Sequence, residues 1–202
     1  MSERSAPFQV RLHGRGGQGV VTAAELLSVA AFLDGRCAQA FPSFGSERTG
    51  APVVAFCRIA DERIRTREPV VDPDALILQD ATLLHQVEVF AGLRGDAYVL
   101  INSSLAFDDL GLEDLRHLSR PERLLTVRAT EIALEVTGRP VPNVVMLGGF
   151  AAATDVVSLD SVLSAVRRRF PGSLGDANVA AATAAYDAVK RERQEMAGVA
   201  AD

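Results

Sequence analysis

The chain has 202 residues, of which 48 % are hydrophobic and 23 % charged, with mean hydropathy +0.14; this is the composition of a soluble globular protein with room for one packed core. Twenty-six acidic against 21 basic residues give a net charge of −5, which argues against a nucleic-acid binder. No apolar run reaches the length of a membrane span.

In chain order, residues 8–13 alternate apolar with polar and read as a strand. The run Gly14-Arg15-Gly16-Gly17-Gln18-Gly19 follows at once. Residues 20–33, rich in Ala, Leu and Val, read as a mostly buried helix that stops at Asp34-Gly35. A second strand over 36–41 would complete a βαβ unit. Residues 42–52 (PSFGSERTGAP) read as an ordered loop. Two β-rich runs, 53–59 and 63–67, separated by Ala60-Asp61-Glu62, predict a hairpin.

Residues 74–79 are a short buried-strand run, 81–93 a helix, 97–101 another buried strand, 124–127 a strand and 130–137 a helix ended by Gly138. Residues 143–153 are apolar with small side chains. A helix starts at Ser158 and runs to about Phe170, and another covers 175–196. The order predicts a single α/β domain over 1–202, with an ordered core of about 8–196. Its sheet is Rossmann-like and mainly parallel, with a β-hairpin insertion and a helical C-terminal third.

Cys37 and Cys57 are too few for a disulfide framework. The opening residues carry no signal-type apolar stretch, so both are read as reduced thiols in a cytoplasmic protein. No Cys-x-x-Cys is present, and the chain cannot supply the four ligands of an iron–sulfur cluster. His13, His85 and His117 stand in no metal-type spacing. Trp is absent, so a base-stacking surface is not expected.

Gly14, Gly16 and Gly19 match G-x-G-x-x-G between a predicted strand and a predicted helix. Such glycines permit a tight turn and leave backbone N–H groups at a helix N-terminus, where a phosphate is favoured. The same pattern also serves close strand–helix packing alone. A dinucleotide site further needs an acidic residue at the end of the second strand, and residues 38–43 hold none. In the following loop, Phe41 and Phe44 lie among Pro and Gly beside Glu47-Arg48. It reads either as a recognition loop, with Arg48 suited to a carboxylate or phosphate, or as a rigid connection bearing a surface ion pair. Asn102-Ser103-Ser104 follows a strand at the edge where α/β proteins bind ligands, or caps a helix. No G-x-S-x-G and no nucleophile–base pair can be read, so no catalytic residue and no metal ligand is assigned.

Taken together, the glycine run with Val20, the loop from Phe41 to Pro52 and Asn143-Val144-Val145-Met146-Leu147-Gly148 resemble one family. It is the gamma subunit, or gamma domain, of 2-oxoacid:ferredoxin oxidoreductases, the pyruvate synthase group. The resemblance spans about residues 9–186. It implies a complex that oxidatively decarboxylates a 2-oxoacid (pyruvate or a relative, arylglyoxylate included) to an acyl-CoA. Electrons would pass through [4Fe-4S] clusters to ferredoxin or another acceptor. Thiamine diphosphate with Mg, and the clusters, would sit in alpha, beta and delta-type partners, leaving none bound by this chain alone.

The gamma part would be associated with coenzyme A access. The resemblance further implies that Gly14, Arg15, Gly16, Gly17, Gln18 and Gly19 form a glycine loop that holds a phosphate of coenzyme A or is structural. Phe44, Glu47, Arg48, Thr49 and Gly50 would form a loop meeting neighbouring subunits or lining the route to the active site. Ser46-Glu47-Arg48-Thr49-Gly50 fits the pyruvate-like branch better than the Ser-Gln-Arg-Gly-Gly of indolepyruvate enzymes. Two other readings stay open: a stand-alone nucleotide-dependent dehydrogenase, and an interaction module with a purely structural glycine loop.

Overall fold

The computed structural model describes residues 6–43, 49–117 and 119–199. β1 (Phe8–Arg15) passes through a glycine turn into α1 (Val20–Leu33). Then come β2 (Cys37–Pro42), β3 (Pro52–Ala60), β4 (Ala75–Leu78) and β5 (Tyr98–Asn102). α2 (Glu113–Arg116), β6 (Leu124–Val127) and α3 (Ala129–Thr137) precede the C-terminal helices α4 (Asn143–Thr154), α5 (Leu159–Arg169) and α6 (Ser173–Val199). The strand order is β2-β3-β1-β4-β5-β6. β3 runs antiparallel to both neighbours, and the other pairings are parallel. The expected α/β sheet with a helical C-terminal third is what the chain forms.

The period-two alternation of each strand divides the core into two layers. Val10, Leu12, Ala55, Cys57, Ile59, Ala75, Ile77, Leu100 and Leu125 share one cluster with α1 and α3 to α6. Leu76, Leu78, Val99, Ile101 and Leu124 pack on the other side with Leu83, Val89, Phe107 and Leu115, which come from turns and α2. α4 is buried at every position, which is why it shows no polar face in the sequence. Gly148 makes this possible: a Cβ there would stand 2.0 Å from the Ala182 carbonyl oxygen on α6. At the other end, Asp34 accepts hydrogen bonds from the Ser158 N–H and from the hydroxyls of Ser158 and Ser161, each at 2.7 Å. That ties the end of α1 to the start of α5.

Three sequence expectations need correction. The hairpin is made by β2 and β3, not by 53–59 and 63–67. β3, the expected partner, already has a strand on each side, and Arg63 to Arg67 is irregular. The βαβ unit is likewise altered, because β3 inserts between β1 and β2. The helix over 81–93 is only one 3₁₀ turn, Ala81–His85. Beyond it the buried Arg11 guanidinium donates to the carbonyls of Val89 (2.9 Å) and Ala91 (2.6 Å), which an α-helical ladder would need.

Candidate functional site: the glycine cleft

β1 continues through Gly14 to Arg15, past the expected end at His13, because Gly14 and Arg15 still pair with Val53 and Pro52 of β3. A Cβ at Gly14 would lie 2.6 Å from Val20 Cγ2, so strand and helix meet only over glycine. Gly17 (φ +98°) and Gly19 (φ +70°) take left-handed conformations that favour glycine. At Gly19 there is no space either: a Cβ would come 2.4 Å from Asn143 Nδ2. The Asn143 motif therefore supports the last glycine of the turn from below, and its Gly148 admits α6.

The turn is closed by its own side chains. Gln18 N–H donates to the Arg15 carbonyl (3.0 Å), and Arg15 N–H donates to Gln18 Oε1 (2.8 Å). Gln18 Nε2 donates to Asp80 Oδ2 (2.7 Å). The Arg15 guanidinium reaches Asp80 Oδ2 (3.2 Å), Thr82 Oγ1 (2.6 Å from Nη2), Gln86 Oε1 (3.0 Å) and the Gly50 carbonyl (3.0 Å). Burial raises the Asp80 pKa. Hydrogen bonds from Thr82 and Gln18, with the Arg15 charge, outweigh it and hold the carboxyl below its ordinary value.

Residues 49–51 are zipped onto the same turn. Gly16 N–H donates to the Ala51 carbonyl (2.9 Å), Gly50 N–H to the Gly16 carbonyl (3.0 Å), and Gly16 and Thr49 form a parallel bridge. Between them lies a cleft of about 420 Å³ lined by Arg15, Gly16, Gly17, Gly19, Val20, Val21, Thr22, Thr49 and Val53. No side chain caps α1. Its first-turn N–H groups and helix dipole thus face a space suited to an anionic group. Gln18, expected in the loop that cradles the ligand, lines a second cleft at the carboxyl ends of β4 and β5 instead. Of the expected second loop, Thr49 lines the cleft and Gly50 is bonded to Gly16 of the turn; Phe44, Glu47 and Arg48 lie outside the described residues.

Two alternatives change weight. The carboxyl end of β1 is flanked by the start of β3, not by the end of a parallel second strand. The place of a ribose-binding carboxylate in a dinucleotide fold is thus absent. Asn102 is a brace: its Nδ2 donates to the Gln79 carbonyl (2.8 Å) and Thr130 Oγ1 (2.7 Å), and its Oδ1 accepts the Thr130 N–H at the start of α3. Among the described residues no group of three or more His, Cys, Asp or Glu could hold a metal ion. Cys57 is fully buried, and burial pushes its thiol up to about 12. The described residues do not fit a cluster or a thiamine metal centre.

Sequence reasoning missed Asp80, Thr82 and Gln86. They follow β4 in a stretch with no motif, and only the parallel pairing of β4 with β1 brings them to the turn.

This geometry defines a Rossmann-like α/β chain with a cleft between its glycine turn and residues 49–51. The chain belongs to the pyruvate ferredoxin/flavodoxin oxidoreductase family, matched over residues 9–188, which bears out the resemblance carried by the three motifs. It is 49 % identical over 183 residues to the pyruvate synthase subunit PorC of Methanothermobacter marburgensis, covering 91 % of this chain and 98 % of that one. It is 45 % identical to the pyruvate/ketoisovalerate oxidoreductases common subunit gamma of Pyrococcus furiosus, over 89 % of this chain and 96 % of that one. The crystal structure of the PORC subunit of pyruvate oxidoreductase from Thermotoga maritima superposes with a TM-score of 0.74 at 34 % identity, covering 91 % and 97 % of the two chains.

Proposed function

We propose that this chain is the gamma subunit of a multisubunit 2-oxoacid:acceptor oxidoreductase. The observation that carries the reading is the similarity to gamma-type subunits over nearly their whole length. The complex converts a 2-oxoacid and coenzyme A into an acyl-CoA and CO2, passing two electrons to an acceptor. Thiamine diphosphate, when bound with Mg between partners of alpha and beta type, supplies the carbanion chemistry, and [4Fe-4S] clusters in partners of beta and delta type carry the electrons. Ferredoxin or another carrier is the acceptor, and the cytoplasm is the compartment expected for such a complex.

This chain's own part is binding. The N–H groups around Gly17, Gly19 and the first turn of α1 take a phosphate of coenzyme A, with the Thr22 and Thr49 hydroxyls at the rim. Gly14 and Gly16 shape the turn. The second loop, with Phe44, Glu47, Arg48, Thr49 and Gly50, meets a neighbouring subunit or borders the route to the reacting centre.

The test is a pull-down of the tagged chain from its native host, with partners identified by mass and the eluate assayed for dye reduction dependent on both a 2-oxoacid and coenzyme A. Co-purification in fixed ratio with a thiamine-binding and a cluster-bearing chain is expected, and a substrate panel then names the oxoacid. Recovery alone without such activity refutes the proposal. Coenzyme A is further expected to slow hydrogen exchange at residues 14–22 of the complex.

A further inference from the structure

We propose that Arg15 is a positioning residue that sets the width of the cleft, and that it is not itself a ligand to the anion. The inference rests on the reading of the cleft as the coenzyme A site. An arginine inside a glycine loop at a phosphate site would ordinarily be taken for a phosphate contact. Here each of the three guanidinium nitrogens already has a partner on protein atoms. One arm bridges to the carbonyl of Gly50, the residue next to the cleft-lining Thr49, and the other holds Thr82 and Gln86 after β4. Nε faces Thr82 Oγ1 and Asp80 Oδ2. The side chain is 22 % exposed.

The partners on the β4 side are themselves fixed. Asp80 accepts from the Thr82 N–H and hydroxyl as well as from Gln18, so Thr82 cannot swing away without losing a charge-assisted bond. Among the described residues, Gly50 is otherwise held to the turn by its backbone bond to Gly16. Arg15 thus connects a rigid element, the end of β4, to residues 49–51, whose position determines how far Thr49 stands from the first turn of α1. A cleft held at one width lets the ligand bind without first ordering its wall.

The test uses the assembled complex carrying Arg15→Ala, Arg15→Lys, Thr82→Val or the Arg15→Ala/Thr82→Val pair. The KM for coenzyme A is expected to rise about tenfold in Arg15→Ala, with kcat and the KM for the 2-oxoacid within about twofold of wild type. Thr82→Val, whose hydroxyl does not line the cleft, raises the same KM about threefold, and the pair is no worse than Arg15→Ala alone. Arg15→Lys recovers little, because a point charge cannot span Gly50, Thr82 and Gln86 together. Without coenzyme A, the amides of Gly16 and Gly50 exchange faster in Arg15→Ala. A normal KM in Thr82→Val with full rescue by Arg15→Lys and unchanged exchange would make Arg15 a direct anion contact and overturn the inference. Faster exchange in Arg15→Ala with an unaltered KM for coenzyme A would uphold the positioning role and instead refute coenzyme A as the occupant of the cleft.

Discussion

His13 stands one residue before the glycine run and at first sight invites a role in anion binding. It sits mid-sheet on β1, 7 % exposed, and its Nε2 has no hydrogen-bond partner among the described residues. Burial first, and the neighbouring Arg11 charge second, lower its pKa to about 4, so it is neutral at pH 7. The unfolded chain takes up a proton near pH 6.5, before the folded one does. Stability from this group is therefore complete above about pH 6.5 and is lost as the pH falls toward 4. Between pH 7 and pH 5, urea unfolding of the wild type is expected to lose about 2 kcal/mol more than that of His13→Gln; identical pH dependence would contradict the assignment. Arg15 and Gln18 carry the same lesson. Their types and spacing are visible in the sequence, but which way each side chain turns depends on Asp80 and Thr82, which lie more than sixty residues away.

Among the elements, the close approach of α4 and α6 is the most sensitive to sequence. Gly148→Ala must push α6 off its seat at the Ala182 carbonyl, and overpacking of this kind costs about 2 kcal/mol. A melting temperature several degrees lower, with the circular dichroism spectrum kept, is the expected result, and an unchanged transition would refute the packing. The helices α1, α5 and α6 were legible because each has a start or stop signal: the glycine run and Asp34-Gly35 for α1, Ser158 for α5, and Pro171-Gly172 between α5 and α6. The stretch 81–93 misled because its apolar spacing satisfies a helix. Its carbonyls are drawn instead to Arg11, a residue whose burial no local pattern announces. Arg63 to Arg67 misled for the complementary reason: alternation makes a hairpin only if the preceding strand has a side to offer, and both sides of β3 are taken by β1 and β2.

For the molecule as a whole, the arrangement predicts a chain that assists chemistry performed elsewhere in its complex. Purified alone, it is expected to be colourless and to bind neither iron nor thiamine diphosphate, as measured by metal analysis and calorimetry; a coloured, cluster-bearing preparation would refute this. The sequence by itself determined the α/β class, the glycine turn between β1 and α1, the helical C-terminal third and the family, because these rest on local periodicity and on short motifs whose spacing survives in one dimension. Only the tertiary structure decided that β3 inserts beside β1, that the Arg15 guanidinium is bonded to Gly50, Thr82 and Gln86, and that Asn143 lies under Gly19. Those facts depend on which strands pair and which helix termini converge, and such long-range contacts are settled by the burial of the shared core on both faces of the sheet.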